Sequence, residues 1–456
     1  MVPRNENWRP ARGLMQQDTR PEPSVNGGKA RGETMNWNSS SRLLTSKAAS
    51  LAALLGAAQQ PFDLDPSFQP SFVTTGVGLS VNSVLPLADG DLIISGGVKF
   101  PGDFSPRAGT RLNPDGTRDL SYVDYPLTGG KLTAWNGRFY AKNGYGVRRL
   151  WLDGTLDPDF NMIGVPYVGS GEAYDYHIYP DGSMLAVGFY LLQDSIHGFM
   201  GDHHLIWFTN QGQLDTTAHH RKCNGTIFKI EPQPDGKFVC SGWQTTYEGQ
   251  PVNQIFRVMP DGALDTTFQT DFVWGEASAF TVLPDGRIIA SGSLLSSGAS
   301  DTLQLIRMLP DGSLDPTFNN DLEAPTEQFG DFGYLGHTVL ADGRIVLHRD
   351  FYQVEGQPRS GIAIVDADGN LLSDAFTGAG CGVYNDGFWN WHHTTGMAPA
   401  PDGSWYIYGS YHGYDDGTTN YPNQRFVSRL YGLDVGVGEQ WAIGSWQLRP
   451  TRPAGA

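Results

Sequence analysis

The chain has 456 residues, of which 12% are aromatic, and its 58 glycines and 29 prolines favour many short strands joined by turns over disorder. The net charge of −17 is unevenly distributed: residues 1–58 hold eight Lys/Arg and four Asp/Glu, a balance of +4, so the remainder carries −21. An acidic body repels phosphate, which disfavours nucleic acid as the main partner.

The first 58 residues divide into two segments. Residues 1–41 are polar and lack an apolar period, which predicts a disordered leader. In residues 42–58, Arg42 and Lys47 precede an apolar run with small residues at its end, a pattern typical of a secretory signal whose cleavage leaves Gln59 first. The same segment could instead be an anchoring arm or an inert leader. The apolar run is too short to span a bilayer.

Seven hairpins of one kind follow along the chain, each an apolar strand, a turn and a second strand that usually ends in small residues. Asp-Gly or Asn-Gly at the turn predicts a two-residue connection with positive φ. The hairpins span residues 83–97, 131–143, 177–188, 231–242, 281–292, 338–348 and 398–409.

The three cysteines are too few for a disulfide framework. A two-residue turn at Asp235-Gly236 places Glu231 opposite Cys240, so we expect Cys240 and Cys223 to be unpaired. Cys381 follows glycines and is expected to be more open.

A second motif alternates with these hairpins and is clearest as RMLPDGSLDPTF at residues 307–318. It places an Asp-Gly turn, a Leu-Asp pair and an aromatic ring in one short segment. Six full copies are present, with turns at Asp115, Asp153, Gln211, Asp261, Asp311 and Asp368. Five of them close with an aromatic ring, at Tyr122, Phe160, Phe268, Phe318 and Phe376, whereas the third copy has Ala218. Phe160, Phe268 and Phe318 are expected to be buried between sheets.

The seventh copy is split between the two ends of the repeat region, because residues 62–68 supply its tail and residues 426–434 its strand. Pairing of the two pieces would remove an exposed sheet edge. The sequence therefore predicts an all-β fold, a seven-bladed β-propeller over residues 59–440, closed by an N-terminal strand that completes the last blade, with a tail at 441–456. An open solenoid would need capping ends and is disfavoured.

Over residues 61 to about 435 the chain resembles the delta-60 repeat β-propellers of bacteria, in which a Pro-Asp-Gly hairpin precedes an Asp-Gly-x-Leu-Asp-x-x-Phe segment. Leu214, Leu264 and Leu314 hold the Leu position, followed by Asp215, Asp265 and Asp315. The copies depart from the pattern at Arg118, Ala218 and Leu372. The resemblance implies the propeller fold and a secreted or surface location, but little about biochemical function.

The short Asp-Gly turns share one face of the predicted ring, and longer segments share the other, which we call the loop face: residues 191–204, 319–337, 377–396 and 411–426. Aromatic rings with polar edges suit stacking on sugars or anchoring a protein. Alternatively, some of these rings pack inward as a plug. The predicted ligand-binding residues are Tyr384, Phe388, Trp389, Trp391, His392, His393, Tyr411, His412, Tyr414 and Tyr421.

Signals for catalysis, metals and cofactors are weak. No nucleophile elbow or phosphate-binding loop occurs, although Glu172, Asp175, Glu276 and Asp386 on the loop face could act as acids or bases. Seven of the eleven histidines fall in these loop segments, but adjacent pairs rarely chelate, so neither a metal nor a cofactor is expected. Asp366–Asp374 imitates a calcium loop, yet it is one copy of the repeated turn.

Three functional hypotheses follow. The first is a non-catalytic recognition or scaffold protein at an exterior surface that binds protein or glycan through the loop face. The second is a structural or adhesive component of a virion or tail-like assembly, anchored by residues 1–58. The third is a glycan-processing enzyme.

Overall fold

The computed structural model describes residues 59–74, 76–124, 129–143, 146–162, 166–325, 335–388, 390–391 and 393–433, and every regular element within these ranges is a β-strand. The predicted leader, the signal-like segment and the C-terminal tail lie outside the described residues, as do the predicted site residues Trp389 and His392.

The described strands are short and antiparallel. In chain order they are β1 Ser80–Pro86, β2 Leu92–Val98, β3 Arg107–Leu112, β4 Leu132–Trp135, β5 Arg138–Asn143, β6 Gly146–Trp151, β7 Val168–Ile178, β8 Met184–Asp194, β9 Phe199–Phe208, β10 Ile227–Pro232, β11 Phe238–Gly242, β12 Thr246–Tyr247, β13 Gln250–Pro251 and β14 Ile255–Val258. They continue as β15 Phe272–Val282, β16 Ile288–Ser296, β17 Leu303–Met308, β18 Leu335–Val339, β19 Ile345–Arg349, β20 Gln353–Val354, β21 Gln357–Pro358, β22 Ile362–Val365, β23 Gly380–Cys381, β24 Tyr384–Asn385, β25 Asn390–Trp391, β26 His393–Pro399, β27 Trp405–Asp415 and β28 Asn420–Leu430.

Seven main sheets follow one another along the described chain, numbered here sheet 1 to sheet 7. They are β1-β2-β3, β4-β5-β6, β7-β8-β9, β10-β11-β14, β15-β16-β17, β18-β19-β22 and β26-β27-β28, the last with β23 added beside β27. The pairs β12-β13, β20-β21 and β24-β25 form small separate hairpins. Each predicted hairpin of the first kind is thus the first strand pair of one main sheet.

A short return segment follows the third strand of sheets 1 to 6 and makes a single bridge to it, at Arg118, Leu156, Leu214, Leu264, Leu314 and Leu371. In sheet 7 the equivalent bridge joins Leu430 of β28 to Leu64, near the beginning of the described chain. Two backbone hydrogen bonds support it, from Asp65 N to Arg429 O (2.8 Å) and from Tyr431 N to Asp63 O (2.9 Å). The predicted pairing of the two split pieces is therefore confirmed, although no sheet in the described residues closes on itself.

The Pro-Asp-Gly turns differ from the predicted two-residue type. In sheet 4, Gly236 N donates to Gln233 O (2.9 Å) and Gln233 N donates to Lys237 O (2.8 Å), which leaves a three-residue connection. Only the glycine has positive φ (83°), because proline presets an ordinary turn conformation and the Asp carboxylate accepts the N–H of Lys237 (3.2 Å). The Asn136-Gly137 turn alone among the seven hairpins has the predicted geometry, with φ of 46° and 72°.

This turn geometry shifts the register of sheet 4 by one residue, so Ile230 rather than the expected Glu231 lies opposite Cys240. All three cysteines are free, as predicted for Cys223 and Cys240. The expectation that Cys381 is open is wrong: it is buried, because β23 pairs with β27 and places Cys381 opposite Tyr414.

The core lies between successive sheets. Seven hydrophobic clusters are found among the described residues, and each combines side chains of two neighbouring sheets. Phe160, Phe268 and Phe318 are buried in three of these clusters, as the repeats predicted. One cluster joins the last sheet to the first, where the ring of Phe68 meets that of Tyr406 with centroids 5.3 Å apart.

A β-bulge interrupts the first strand of sheets 1, 3, 4, 5 and 7, and it leaves one extra residue without a partner opposite. β7 and β15 each have a second bulge, between Val168 and Ser170 and between Phe272 and Trp274, which lies opposite residues other than glycine. Opposite the remaining bulge in each sheet stands a glycine, because a Cβ there would collide with a carbonyl oxygen. In Gly188 the added Cβ would lie 2.0 Å from Glu172 O, and in Gly292 it would lie 2.1 Å from Glu276 O. The bulges therefore require the glycines near the ends of these hairpins. Each bulge also changes the direction in which its extra side chain points.

Two segments predicted as loops are instead the ends of long hairpins. Residues 191–204 belong largely to β8 and β9, and residues 411–426 belong largely to β27 and β28. His203, His204 and His220 are buried around the first of these hairpins, and His204 Nδ1 accepts a hydrogen bond from Cys223 N (3.2 Å). Burial therefore removes these histidines from the predicted working surface.

Candidate functional site

Part of the predicted aromatic cluster lies on the β24-β25 hairpin. Tyr384 stands opposite Trp391 at its base, and Phe388 near the tip is 75% exposed. Asp386 accepts hydrogen bonds from Phe388 N (2.9 Å) and from Trp391 Nε1 (3.0 Å), so one carboxylate holds the tip and the half-buried indole in place. We call this element the tip hairpin. It presents a large apolar ring on a well-braced support.

Three other predicted site residues are core side chains. Tyr384 OH donates to Gly76 O (2.5 Å), Tyr414 OH donates to Phe62 O (2.9 Å), and the hydroxyls of Tyr411 and Ser428 lie 2.6 Å apart. All three tyrosines are fully buried. Inward packing, the alternative considered for this cluster, therefore describes these rings.

The remaining predicted residues are half-buried. His412 accepts a hydrogen bond from Arg425 Nε (3.3 Å), and Tyr421 packs against the cluster between sheets 6 and 7. His393 begins β26, opposite Ser410. The structure thus brings Phe388, Trp391 and His393 toward accessible positions and uses the tyrosines mainly for support.

A second aromatic group, which the sequence reasoning missed, lies on sheets 3 and 4. Tyr174 and Phe228 are the extra residues of the bulges in β7 and β10, two strands that contact each other. Their ring centroids are 4.9 Å apart, and Phe228 lies 4.9 Å from Trp243, both pairs edge to face. We call Tyr174, Phe228 and Trp243 the ring ladder. It ends at Trp243, which is 61% exposed.

Three lysines surround the ring ladder. Lys142 Nζ lies 5.3 Å from the centroid of the Tyr174 ring. Lys131 Nζ lies 2.9 Å from Asp175 Oδ1, and Lys229 Nζ lies 3.0 Å from Asp175 Oδ2. We call Lys131, Lys142 and Lys229 the lysine group. It converges on Tyr174 and Asp175, two consecutive residues of β7.

Asp175 is buried, and its environment is that of a permanent carboxylate. Burial opposes its charge, but the two lysines outweigh this effect and hold the pKa of Asp175 well below its usual value. Tyr176 N (2.8 Å) and Ile230 N (3.3 Å) also donate to it. A carboxylate with all these partners is suited to holding charges in place and poorly suited to moving protons.

The other predicted acids are dispersed. Glu172 is exposed and accepts a hydrogen bond from Tyr174 OH (3.2 Å), Glu276 is half-buried on β15, and Asp386 braces the tip hairpin. Glu231 on β10 has a pKa raised to about 7 by burial despite the nearby Lys229 and Lys131. Within the described ranges, no group of three or more His, Cys, Asp or Glu side chains is arranged to hold a metal ion.

A signal for the ring ladder is present in the repeats. The residue after the glycine opposite each bulge is Gly97, Phe189, Trp243, Ser293 or Ser410, and the bulge residue itself is Asn82, Tyr174, Phe228, Ser278 or Thr395. Both positions are aromatic only in sheets 3 and 4. Comparison of repeats position by position therefore finds this group, whereas a search for aromatic-rich loops does not.

The family model described as a domain of unknown function (DUF5122) β-propeller matches residues 233–268, 283–318 and 340–371. Two of these stretches end at Phe268 and Phe318, the rings that close the second motif. The repeats are thus similar to those of a β-propeller family. No curated protein matches the sequence.

Several solved structures align with this chain at low identity and with low TM-scores. An extracellular domain of a one-component system from B. thetaiotaomicron is 13% identical, with a TM-score of 0.42, and 79% of this chain covers 43% of that one. PorZ, a surface component of the type-IX secretion system of Porphyromonas gingivalis, is 11% identical, with coverages of 80% and 69% and a TM-score of 0.29. The Neurospora crassa Pan2 WD40 domain is 9% identical, with coverages of 80% and 97% and a TM-score of 0.38. The chain spans less than half the length of the first two structures, both extracellular domains from B. thetaiotaomicron.

Among the residues that the structure describes, none forms a helix of the length and apolar character that a membrane span needs.

Proposed function

We propose that residues 59–440 form a closed seven-bladed β-propeller of the delta-60 type, in which Phe62–Phe68 completes the last blade. The supporting observation is a repeated hydrogen bond. In four repeats the residue after the closing ring donates to the carbonyl of the next repeat's turn, as Gln269 N does to Asp311 O (2.8 Å). Gln69 N makes the same bond to Asp115 O (2.8 Å), from the split repeat to the first one.

A shortened chain tests the closure. A protein that begins at Ser71 lacks the Leu64 bridge and Phe68, so a closed ring loses the contacts that join its last blade to its first. We expect a large fall in melting temperature relative to a chain that begins at Gln59. Equal melting temperatures would show that the ring does not depend on this segment.

We propose that the protein is a non-catalytic recognition protein at an exterior surface and that the tip hairpin contacts its partner. The observation that carries the proposal is the 75% exposure of Phe388 on a hairpin held by the Asp386 hydrogen bonds. Large rings at accessible, preorganised positions are typical anchors of protein interfaces. The Phe388 ring has no polar atom that could bond the hydroxyls of a sugar, so a protein is the favoured partner here and a glycan the alternative.

The glycan-processing alternative has less support. Glycoside hydrolysis needs two carboxyl groups that act as a pair. The charge of Asp175 is balanced by ion pairs with two lysines, and Asp386 holds the tip hairpin in place. Glu172 and Glu276 belong to sheets 3 and 5. We therefore favour binding over catalysis.

The exterior location and the virion alternative both depend on residues 1–58, which lie outside the described residues. Mass spectrometry of the native protein tests them. A chain that begins at Gln59 supports secretion after cleavage, and a chain that keeps residues 1–58 within a purified particle supports the anchored assembly.

Binding through the tip hairpin can be tested without a known partner. Peptides selected on the wild-type protein from a displayed random library, and a printed glycan array, provide the probes. We expect Phe388→Ala to weaken the selected peptides about 30-fold, the scale of an aromatic anchor. Leu120→Ala, which removes an equally exposed apolar side chain from the outer segment of sheet 1, is the matched control. Equal binding by the Phe388 variant, or binding to glycans alone, would contradict the proposal.

A further inference from the structure

The lysines of this chain are strongly concentrated. It has eight, six of them after residue 58, and three of those six form the lysine group around Tyr174 and Asp175. The residues after 58 carry a charge of −21. A local cluster of ammonium groups is positively charged, whereas the rest of this part of the chain is strongly negative. The cluster is therefore a place where an anion would be favoured.

The side chains of Lys131 and Lys229 are held in place and remain partly exposed. Lys131 and Lys229 bind different oxygens of the buried Asp175 carboxylate, and their side chains keep 42% and 25% exposure. Lys131 Nζ also donates to Tyr176 O (2.9 Å). Two lysines fixed by one carboxylate lose little further freedom when a ligand binds.

Positive charge exceeds negative charge at this place. The three ammonium groups face Asp175 and the exposed Glu172, and the charge of Arg349 also acts on Lys229. Glu231 adds less than a full negative charge near neutral pH, because burial raises its pKa to about 7. A ligand carboxylate would therefore meet an excess of cationic groups.

The ring ladder lies directly beside these charges. Tyr174 on β7 immediately precedes Asp175, the carboxylate that holds Lys131 and Lys229, and Phe228 on β10 immediately precedes Lys229. The ladder is open to solvent at Trp243. Rings of this kind bind the apolar faces of sugars, while lysines bind carboxylates.

We propose that the ring ladder and the lysine group form a binding site for an acidic carbohydrate, with a pyranose ring stacked on Trp243 and Phe228 and a uronate carboxylate paired with the lysine group. The site is separate from the tip hairpin and does not depend on its function. The edge-to-face rings offer platforms for a sugar ring rather than a parallel clamp for a nucleobase. The lysines favour an acidic sugar over a neutral one.

Calorimetric titration of the full-length protein tests the site. The probes are tetragalacturonic acid and its fully methyl-esterified form, which keeps the rings and removes the charges. We expect the acid to bind with a Kd below roughly 1 mM and the ester to bind at least about tenfold more weakly. Trp243→Ala should weaken the acid about tenfold or more, and Trp243→Tyr should restore most of the binding.

Lys142→Gln separates the charge from the rings, and it leaves the Asp175 ion pairs in place. It should weaken the acid while leaving the ester unchanged. Phe104→Ala, which removes a fully exposed ring assigned to neither site, is the matched control and should bind the acid like the wild type, provided that circular dichroism shows each variant folded.

Several results would overturn the proposal. These are no binding of the acid at about 1 mM, equal binding of acid and ester, or binding that survives Trp243→Ala. Tighter binding of ATP than of the acid, lost in Trp243→Ala, would assign the site to nucleotides instead. Loss of acid binding in Phe388→Ala alone would move the carbohydrate to the tip hairpin.

Discussion

Arg307 Nε lies 2.7 Å from Asp315 Oδ2, and both side chains are buried. The guanidinium carbon lies 4.8 Å from the centroid of the Phe318 ring, and Nη1 donates to Ala367 O in the next repeat (2.7 Å). Asp315 Oδ1 meanwhile accepts Thr317 N (2.9 Å), which holds the turn before the ring. The Leu-Asp-x-x-Phe motif is therefore a clamp between neighbouring sheets, centred on an arginine eight residues before its aspartate.

The same clamp recurs in other repeats. Arg257 pairs with Asp265 (2.8 Å) and donates to Pro310 O (2.9 Å), and Arg149 pairs with Asp157 (2.5 Å) and donates to Asn210 O (2.7 Å). In the split repeat, Arg429 of β28 lies 3.4 Å from Asp65. The repeated sequence motif thus encodes an ion pair as well as a turn and a ring.

The clamp also explains two departures from the repeat pattern. The third repeat has Trp207 in place of the arginine and Ala218 in place of the ring, so the arginine and the ring that it covers are replaced together. In the third repeat Arg221 makes the hydrogen bond to the next repeat instead, from Nη2 to Asp261 O (2.9 Å). The sixth repeat has Ile364 and Leu372 where the ion pair would stand.

We expect Asp315→Ala to destabilise the protein by about 3 to 5 kcal/mol, because it removes the buried carboxylate that pairs with the buried Arg307 and leaves only the exposed Asp368 beside the guanidinium. Urea unfolding followed by fluorescence measures the change. Arg344→Ala, which removes a solvent-exposed ion pair with Asp342, is the control and should cost less than about 1 kcal/mol. Equal effects of the two changes would show that the clamp adds nothing to stability.

The buried aromatic ring of each repeat should stabilise the protein through the volume that it fills in the core. Phe268 lies in the cluster between sheets 4 and 5, and Phe268→Ala should cost about 3 to 5 kcal/mol through lost contacts and a cavity. Phe104 is fully exposed, so Phe104→Ala should leave the melting temperature unchanged. A melting temperature of the Phe268 variant within a degree of the wild type would refute its role.

The glycines opposite the bulges should tolerate no side chain. Gly292→Ala places a Cβ 2.1 Å from Glu276 O, so either the bulge or the strand pairing must shift, at a cost of about 2 kcal/mol or more. Gly97→Ala makes only an ordinary contact at 3.4 Å and serves as the control. Chemical denaturation of the two variants decides the matter, and equal stability would mean that the bulge is adaptable.

Stability should fall as the pH falls from 6.5 toward 3. Burial lowers the pKa of His220, His337 and His348 to about 3 and that of His177 to about 4. Between these values and the unfolded pKa near 6.5, the unfolded chain binds protons that the native protein refuses, so protonation favours unfolding. The stabilising effect of the neutral histidines is complete above pH 6.5 and is lost progressively below it.

A variant that lacks one buried histidine measures the contribution of that histidine to the pH dependence of stability. Between pH 4 and 6, His220→Gln should lower the slope of unfolding free energy against pH by about 1.4 kcal/mol per unit. Glu231 acts in the opposite direction, because its pKa is raised to about 7 and its ionisation disfavours the native state as the pH rises from 4.5. Glu231→Gln should therefore steepen the profile, and an unchanged slope in both variants would contradict these assignments.

Much of the fold follows from local sequence patterns. The hairpins and their order are predictable because turn residues and alternating apolar positions act over a few neighbours. The pairing of Leu64 with Leu430 is predictable for a different reason, because each end of the repeat region holds the part of the split repeat that the other end lacks. The exact turn type is less predictable from the sequence, since Pro-Asp-Gly and Asn-Gly differ in which residues take positive φ. The turn of sheet 4 has three residues instead of the predicted two, which places Ile230 rather than Glu231 opposite Cys240.

The candidate sites depend on contacts between sheets, which no local pattern specifies. Tyr384, Tyr411 and Tyr414 look like surface rings in the sequence, yet packing against neighbouring sheets and separate hydrogen bonds bury all three. Tyr174, Phe228 and Lys142 come from three different sheets, and only the bulges and the packing of successive first strands bring them together. Sequence alone determined which residues repeat, and tertiary structure decided which of them are exposed, because exposure depends on what the next sheet covers.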